Sequence, residues 1–279
     1  MANEERIDEE AEMSFLDHLE ILRWHLVRSI SAVMLAAIGS FIFKGFIFDV
    51  LIFGPKSPDF ITYRALCAFS NKLSQWIPTL FPDGAICIGQ DLPDLINLTM
   101  AGQFSAHILT SLVAGVIIAF PFILWEVWRF IGPGLKKQER NMARGFIAAA
   151  SLLFFSGVLF GYYVICPLSI NFFFNYQVSD TVLNSPTLST YISLITSVVI
   201  ACGAVFELPI LVYFLTKVGL VTPKMLKAFR RHAFVSALIL SAVITPPDVF
   251  SQILVSIPIL ILYELSIWIS RIVTKREAA

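Results

Sequence analysis

The stretch Phe104–Arg140, FSAHILTSLVAGVIIAFPFILWEVWRFIGPGLKKQER, decides the fold. From Phe104 to Trp125 it contains no Asp, Glu, Lys or Arg. A helix needs about 20 apolar residues to cross a hydrocarbon core, and this run suffices. Only helices and closed barrels satisfy the backbone in lipid, and the run is too long and too uniform for a barrel strand. Trp125 and Trp128 then form an aromatic boundary, with Glu126 beside Arg129 in a local ion pair. Lys136, Lys137 and Arg140 follow, and such basic links stay on the cytoplasmic side.

The rest of the chain repeats this pattern. Of 279 residues, 57% are hydrophobic and 14% charged, and 25 are Phe. A soluble domain is about half apolar and a quarter charged, so too little polar surface remains to cover a globule in water. The expected fold is an all-α integral membrane protein with apolar segments at 24–48, 104–130, 146–175, 190–216, 232–245 and 249–270. Lys217, Lys224, Lys227, Arg230 and Arg231 fill the link between the fourth and fifth segments, and Arg271, Lys275 and Arg276 end the chain. The link 176–189 and the turn 245–248 carry no Lys or Arg. Six spans with both termini cytoplasmic follow, which places the chain in a cell's inner membrane.

Around this domain, residues 13–271, lie three smaller parts. Residues 1–12 read as a disordered acidic lead, since Glu4, Glu5, Asp8, Glu9, Glu10 and Glu12 face Arg6 alone. They do not form a secretory signal, which would need a basic start and an early apolar core. Residues 49–103 are long enough for an external cap, and 272–279 read as a basic cytoplasmic tail. The cap holds Cys67 and Cys87, the two cysteines outside the expected spans, either bonded to each other or as two free thiols. Cys166 and Cys202 lie within spans as packing residues. The fifth and sixth spans read as short; His232–Thr245, about 14 residues, would rise only about 21 Å. Either that helix is buried among others or the bilayer thins beside it. Pro121, Pro167, Pro209 and Pro258 each remove a backbone hydrogen bond, so bent helices forming a concave wall are expected.

No phosphate-binding loop, HExxH pair or GxSxG elbow occurs. An enzyme, a metal site, a cofactor and a nucleic-acid partner are not expected. The residues that call for explanation are acids at membrane depth, which are costly there and point to function. Glu207 lies mid-span in VFELPIL, as a proton carrier, an anchor for another helix, a group facing a water-filled cavity, or a packing residue bonded to a neighbouring span. Glu264 is the sole acid of the sixth segment. Asp248 is placed to cap the sixth helix. Gln252, one turn on, needs a partner that another helix could supply. By charge alone, Glu139 in FIGPGLKKQER reads as part of a solvated loop.

Taken together, SFLDHLEILR, FPFILWEVWRFIGPGLKKQER, FELPILVYFLTKVGLVTP and ITPPDVFSQILVSIPILILYELSIWISR resemble the TatC family, the multispanning subunit of the twin-arginine protein translocase. The resemblance runs from about residue 13 to 271 and implies six spans. It implies a receptor for Arg-Arg signal peptides of folded cargo proteins, working with TatA-like and TatB-like single-span partners and further copies of itself, driven by the proton-motive force. It implies signal-peptide contacts for Glu139 and Phe130, and partner docking for Glu207, Thr245 and Gln252. Pro55 and Phe104 match positions of the external cap that matter for assembly. The competing reading is a proton-coupled small-solute transporter with Glu207 as its proton site, against which stand the missing internal repeat and the few polar residues along the spans.

The first motif departs from the family. The family has HLxELR; this chain has HLEILR, with Ile21 at the acid's place and Glu20 one position earlier. One residue is a turn of about 100° on a helix. Glu20 therefore either pairs with Arg23 as an ordinary surface charge or still reaches an incoming arginine. Phe15, Leu19, Leu22 and Leu26 give this segment an apolar face that can lie in the interface.

Overall fold

The computed structural model describes residues 15–76, 87–89, 92–131, 143–179, 181, 184–244 and 249–277. The acidic lead, Glu139, Thr245 and Asp248 lie outside the described residues.

The described chain is helical. Helix α1 (Phe15–Ile42) passes into a wide π turn at Phe46–Ile52 and a short 3-10 turn at Gly54–Lys56. Helix α2 (Ile61–Trp76) follows, then α3 (Gly102–Ile131), the full apolar stretch of the opening motif. Next come α4 (Ala143–Phe160), a π segment at Gly161–Ile165, and α5 (Cys166–Asn175). The remainder is α6 (Leu188–Phe206), α7 (Leu208–Lys217), α8 (Pro223–Ala228), α9 (Arg230–Ile244) and α10 (Val249–Glu277).

Among the described residues five stretches are long and apolar enough to cross a membrane: Leu19–Ile42, Gly102–Ile131, Gly145–Asn175, Leu188–Lys217 and Gln252–Lys275. The fifth expected span is α9, only 15 residues long, which rises about 22 Å against a core of about 30 Å. The expectation of a short sixth span is corrected. Helix α10 has 29 residues and extends through the charged tail to Glu277. Hydropathy sees where the apolar run stops, whereas a helix continues wherever its backbone bonds do.

The prolines divide into two kinds. Pro121 and Pro258 lie inside α3 and α10, which continue through them. Pro167 opens α5 after the π segment, and Pro209 opens α7 after a break at Glu207.

The core lies where α3, α5, α6 and the π turn meet, built from residues such as Ile52, Ile165, Cys166, Ile170, Ile192 and Val198. Cys166 and Cys202 are buried free thiols within it. Helix α1 stands outside this core and packs along α3, antiparallel to it. Gly115 permits the contact, because a Cβ there would meet Ala37 Cβ, Ala37 N and Val33 O at 2.8 Å each. The buried face of α3 is a stripe of small residues, Gly102, Ala106, Thr110, Ser111, Gly115 and Ala119, of the kind that lets helices approach closely in lipid.

The segment between α1 and α3 is tied down by hydroxyls. Tyr63 donates to Pro55 O at 3.0 Å and Pro167 O at 3.1 Å, Tyr162 to Leu51 O at 2.7 Å, and Tyr191 to Ile52 O at 2.8 Å. Burial pushes the Tyr63 phenol above its ordinary range, so it stays a donor. Cys67 and Cys87 are bonded to each other, with Cα atoms 4.4 Å apart. Gly89, with φ +82°, lets the chain pass over the Tyr63 ring, and its N–H donates to Asn171 Oδ1 at 3.1 Å. Closing a loop of sequence separation 20 is worth about 3 kcal/mol in the chain-entropy picture. Cys67→Ser with Cys87→Ser is therefore expected to lower stability by about 2–4 kcal/mol. Chemical unfolding with and without reductant checks this: reductant should destabilise the parent and leave the double variant unchanged.

Candidate functional site: the start of α1 and the end of α3

The site begins with a carboxylate that local charge misplaces. The expectation for Glu126 was an interfacial side chain beside Arg129. That pair exists, with Arg129 Nη1 3.5 Å from Oε1. Yet Glu126 is 2% exposed, and its main partner lies on α1. His25 Nδ1 donates to Glu126 Oε2 at 2.5 Å, and Arg28 Nη1 is 3.9 Å from the same oxygen. The correction has a geometric reason. Glu126 lies seven residues beyond Ala119, two helical turns along the same small-residue stripe, and so faces α1. On α1, His25, Ser29, Val33, Ala37 and Ser40 are among the less exposed positions, and His25 ends that row. The signal was present in the spacing of small residues and was masked by the neighbouring arginine.

Three basic side chains therefore share one buried carboxylate.

Phe130 stands one turn beyond Glu126, half-buried, with its ring edge-on to His25 at 6.1 Å. Glu20 and Arg23 are exposed on the first turns of α1, and no ion pair joins them among the described residues. Glu20 is five residues before His25 and Phe130 four after Glu126. On antiparallel helices both lie about 6–8 Å beyond the tie, at one level. Trp128 anchors the same end of α3 to the core, 4.5 Å from Phe146 and 6.2 Å from Phe214. The structure thus joins Glu126 and Phe130 through His25, while Glu20 and Arg23 are exposed near the same level on other faces of α1.

The other expected residues lie elsewhere. Glu207 is the joint between α6 and α7: its N–H bonds to Ala204 O, and its carbonyl accepts from Ile210 and Leu211. Its buried Oε1 has no hydrogen-bond partner among the described residues. An apolar hollow of about 380 Å³ lies between the π turn, α3, α4 and α6, lined by Phe46, Thr110, Val158 and Val199; Glu207 does not line it. Gln252 Nε2 donates to Leu238 O at 3.2 Å, so α9 supplies the partner this amide required. Glu264 pairs with Arg230 at 2.7 Å, which joins the start of α9 to α10.

At the opposite end of the bundle Pro55 is buried and Phe104 is 62% exposed. His107 ties α3 to the end of α1, its ring stacked 3.8 Å from Phe41 and Nε2 3.1 Å from Phe41 O. Lys56 bonds Asp94 at 2.7 Å and holds that carboxyl below its usual range. The small benefit of this exposed pair is present at neutral pH and is lost as pH falls through the lowered value.

Residues 17–258 match the family model described as Sec-independent protein translocase protein (TatC). The chain is 40% identical over 270 residues to the Sec-independent protein translocase protein TatC of Blattabacterium, covering 97% of this chain and 99% of that one. It is 33% identical over 267 residues to the protein of the same description from Aquifex aeolicus, covering 95% and 98%. A crystal structure described as the twin arginine translocase receptor TatC superposes with a TM-score of 0.67 at 31% identity, covering 91% of this chain and 99% of that one. A second of that description gives a TM-score of 0.66.

Proposed function

Because the chain belongs to the TatC family of Sec-independent protein translocase proteins, we propose that it is the receptor that binds Arg-Arg signal peptides at the cytoplasmic mouth of α1 and α3. It is a membrane protein of protein transport and a component of a translocase. The observation that carries the receptor reading is the exposed carboxylate of Glu20, without an ion pair among the described residues, at the level of Phe130. Guanidinium groups favour carboxylates in bidentate geometry, and two adjacent arginines favour two acids. Glu139 takes one arginine and Glu20 contributes to the second. Phe130 packs on the peptide, and Arg23 holds this end of α1 at the cytoplasmic face. The chain lies in the inner membrane with both termini cytoplasmic, supported by the basic links.

Docking of TatA-like and TatB-like single-span partners falls to α6, α7, α9 and α10. Glu207 offers a buried acceptor with no partner among the described residues. Gln252, whose amide is spent on Leu238, keeps its carbonyl oxygen for an incoming helix, with Thr245 nearby in sequence. The short α9 thins the bilayer beside it, where folded cargo crosses under the proton-motive force. Inserting one leucine-rich turn into α9 is expected to reduce export at least about fivefold while signal-peptide affinity stays within about twofold, since mismatch costs act on the bilayer and not on the mouth. Export and peptide binding measured on the same variant check this.

The reading is tested by expressing the chain with single-span partners in a translocase-deficient strain. Export of a folded reporter with an Arg-Arg signal, and not of its Lys-Lys counterpart, is expected. Equal export of both, or of neither, contradicts it.

A further inference from the structure

The first turns of α1 are a cantilever. Only 11% of the apolar window of α1 is buried, and its contacts run to α3 at three levels. Phe41 meets His107 at the external level, and Ala37 meets Gly115 in the middle. At the cytoplasmic level the tie is His25 on Glu126. From Leu19 to Trp24, including Glu20 and Arg23, every side chain is exposed.

Resting on the receptor reading above, we propose that His25 and Glu126 are positioning residues of the signal site. Their contact sets the rotation and separation of α1 against α3 at the mouth. It thereby holds Glu20 and Phe130 at one level to receive the arginine pair. Glu126 does not itself take a signal arginine. Its side chain is 3% exposed, His25 occupies its Oε2, and Arg28 and Arg129 already place positive charge beside it. An incoming guanidinium would have to enter a cationic pocket and displace a partner from a buried group. His25 also serves Phe130, whose ring it meets edge-on, so one imidazole fixes both the acid and the aromatic of α3.

The register of HLEILR gives the tie its weight. With the acid at Glu20 rather than at position 21, the direction of Glu20 depends on how α1 is rotated, and His25 fixes that rotation.

The test uses the full chain in lipid nanodiscs, with a fluorescent Arg-Arg signal peptide read by anisotropy. His25→Ala and Glu126→Ala are each expected to weaken binding about tenfold, and the double variant no more than either, as for two ends of one contact. Glu126→Gln, whose amide oxygen still accepts from His25 Nδ1, should stay within about threefold of the parent, because the hydrogen bond and not the charge is required. Spin labels at Leu22 and Val127 should show a broadened distance distribution in the alanine variants and the parent's in Glu126→Gln. A control pair at Ile38 and Ile108 should not change in any of them. Should Glu126→Ala fail to accumulate, His25→Ala removes the same contact and supplies that arm. Glu126→Gln binding as poorly as Glu126→Ala would make Glu126 a direct charge acceptor and overturn the proposal. Parental binding by His25→Ala, while Glu139→Ala loses it, would overturn the proposal and leave the receptor reading standing. Parental binding by Glu139→Ala and Phe130→Ala would remove the reading and the proposal with it.

Discussion

Glu139→Lys is expected to weaken binding of an Arg-Arg signal peptide at least about a hundredfold. A charge-assisted hydrogen bond is worth about 1.5–3 kcal/mol, and about 1.4 kcal/mol is tenfold in affinity. Losing a bidentate acceptor reaches that range, and the introduced ammonium adds repulsion against two guanidinium groups. Glu139→Ala removes the acceptor without the repulsion and should be intermediate. Glu139→Gln keeps the shape and loses the charge, so it should resemble Glu139→Ala. Peptide anisotropy on purified protein measures the series, with a Lys-Lys peptide as reference. Equal affinity for all four proteins would sink the assignment of Glu139.

The second large effect separates function from packing. A buried acceptor without a partner costs about 1–3 kcal/mol in the isolated protein. Glu207 Oε1 is such an acceptor among the described residues. The same carboxyl also bonds the backbone of Phe154, so Glu207→Leu relieves one atom and loses that bond, and the isolated protein is expected to stay within about 1 kcal/mol of the parent. Export should nonetheless fall at least about tenfold, because the partner helix loses the group it bonds. Copurification of the single-span partners should fall with it, while signal-peptide affinity holds. A packing role predicts the reverse: a destabilised protein whose surviving fraction exports normally.

Much of the architecture was legible because lipid simplifies the problem. A backbone that must satisfy its own hydrogen bonds writes each crossing as an apolar run, and five such runs match helices. The short fifth segment was visible for the same reason. The length of α10 was not, because the apolar run stops near residue 270 while the backbone continues helical to Glu277. Helix α2 was missed. Polar residues such as Arg64, Asn71, Lys72 and Gln75 interrupt its apolar ones, so it writes no long greasy run. It folds by resting Tyr63 on Pro55 and Pro167, and Pro167 is distant in sequence. The π segments at Phe46–Ile52 and Gly161–Ile165 leave no periodic signature, although Pro167 marks where the second ends.

The site was legible in part. Phe130, Glu20 and Arg23 were named from their motifs; Phe130 meets His25, and Glu20 and Arg23 are exposed on the first turns of α1. Glu126 was misplaced for a physical reason. Arg129, three residues away, explains its charge locally, whereas the partner that buries it is His25, 101 residues distant. Glu207 was read as mid-helix, and the structure shows a break there, with Pro209 opening the next helix. For Glu126 a neighbour in sequence offered a sufficient local account and the tertiary contact decided otherwise; for Glu207 the break is local, with Pro209 two residues on.

The most direct measurement of the receptor reading is site-specific photo-crosslinking in cells. A photoreactive residue is placed at Phe130, and separately at Glu139, with an exposed cap position such as Phe104 as control. The products with a signal-bearing cargo are mapped by mass spectrometry. Adducts from positions 130 and 139 on or beside the arginine pair, lost with a Lys-Lys signal and absent from position 104, are the predicted result. Adducts that persist with the Lys-Lys signal, or that fall only on the folded part of the cargo, would contradict a signal site at the cytoplasmic mouth of α1 and α3.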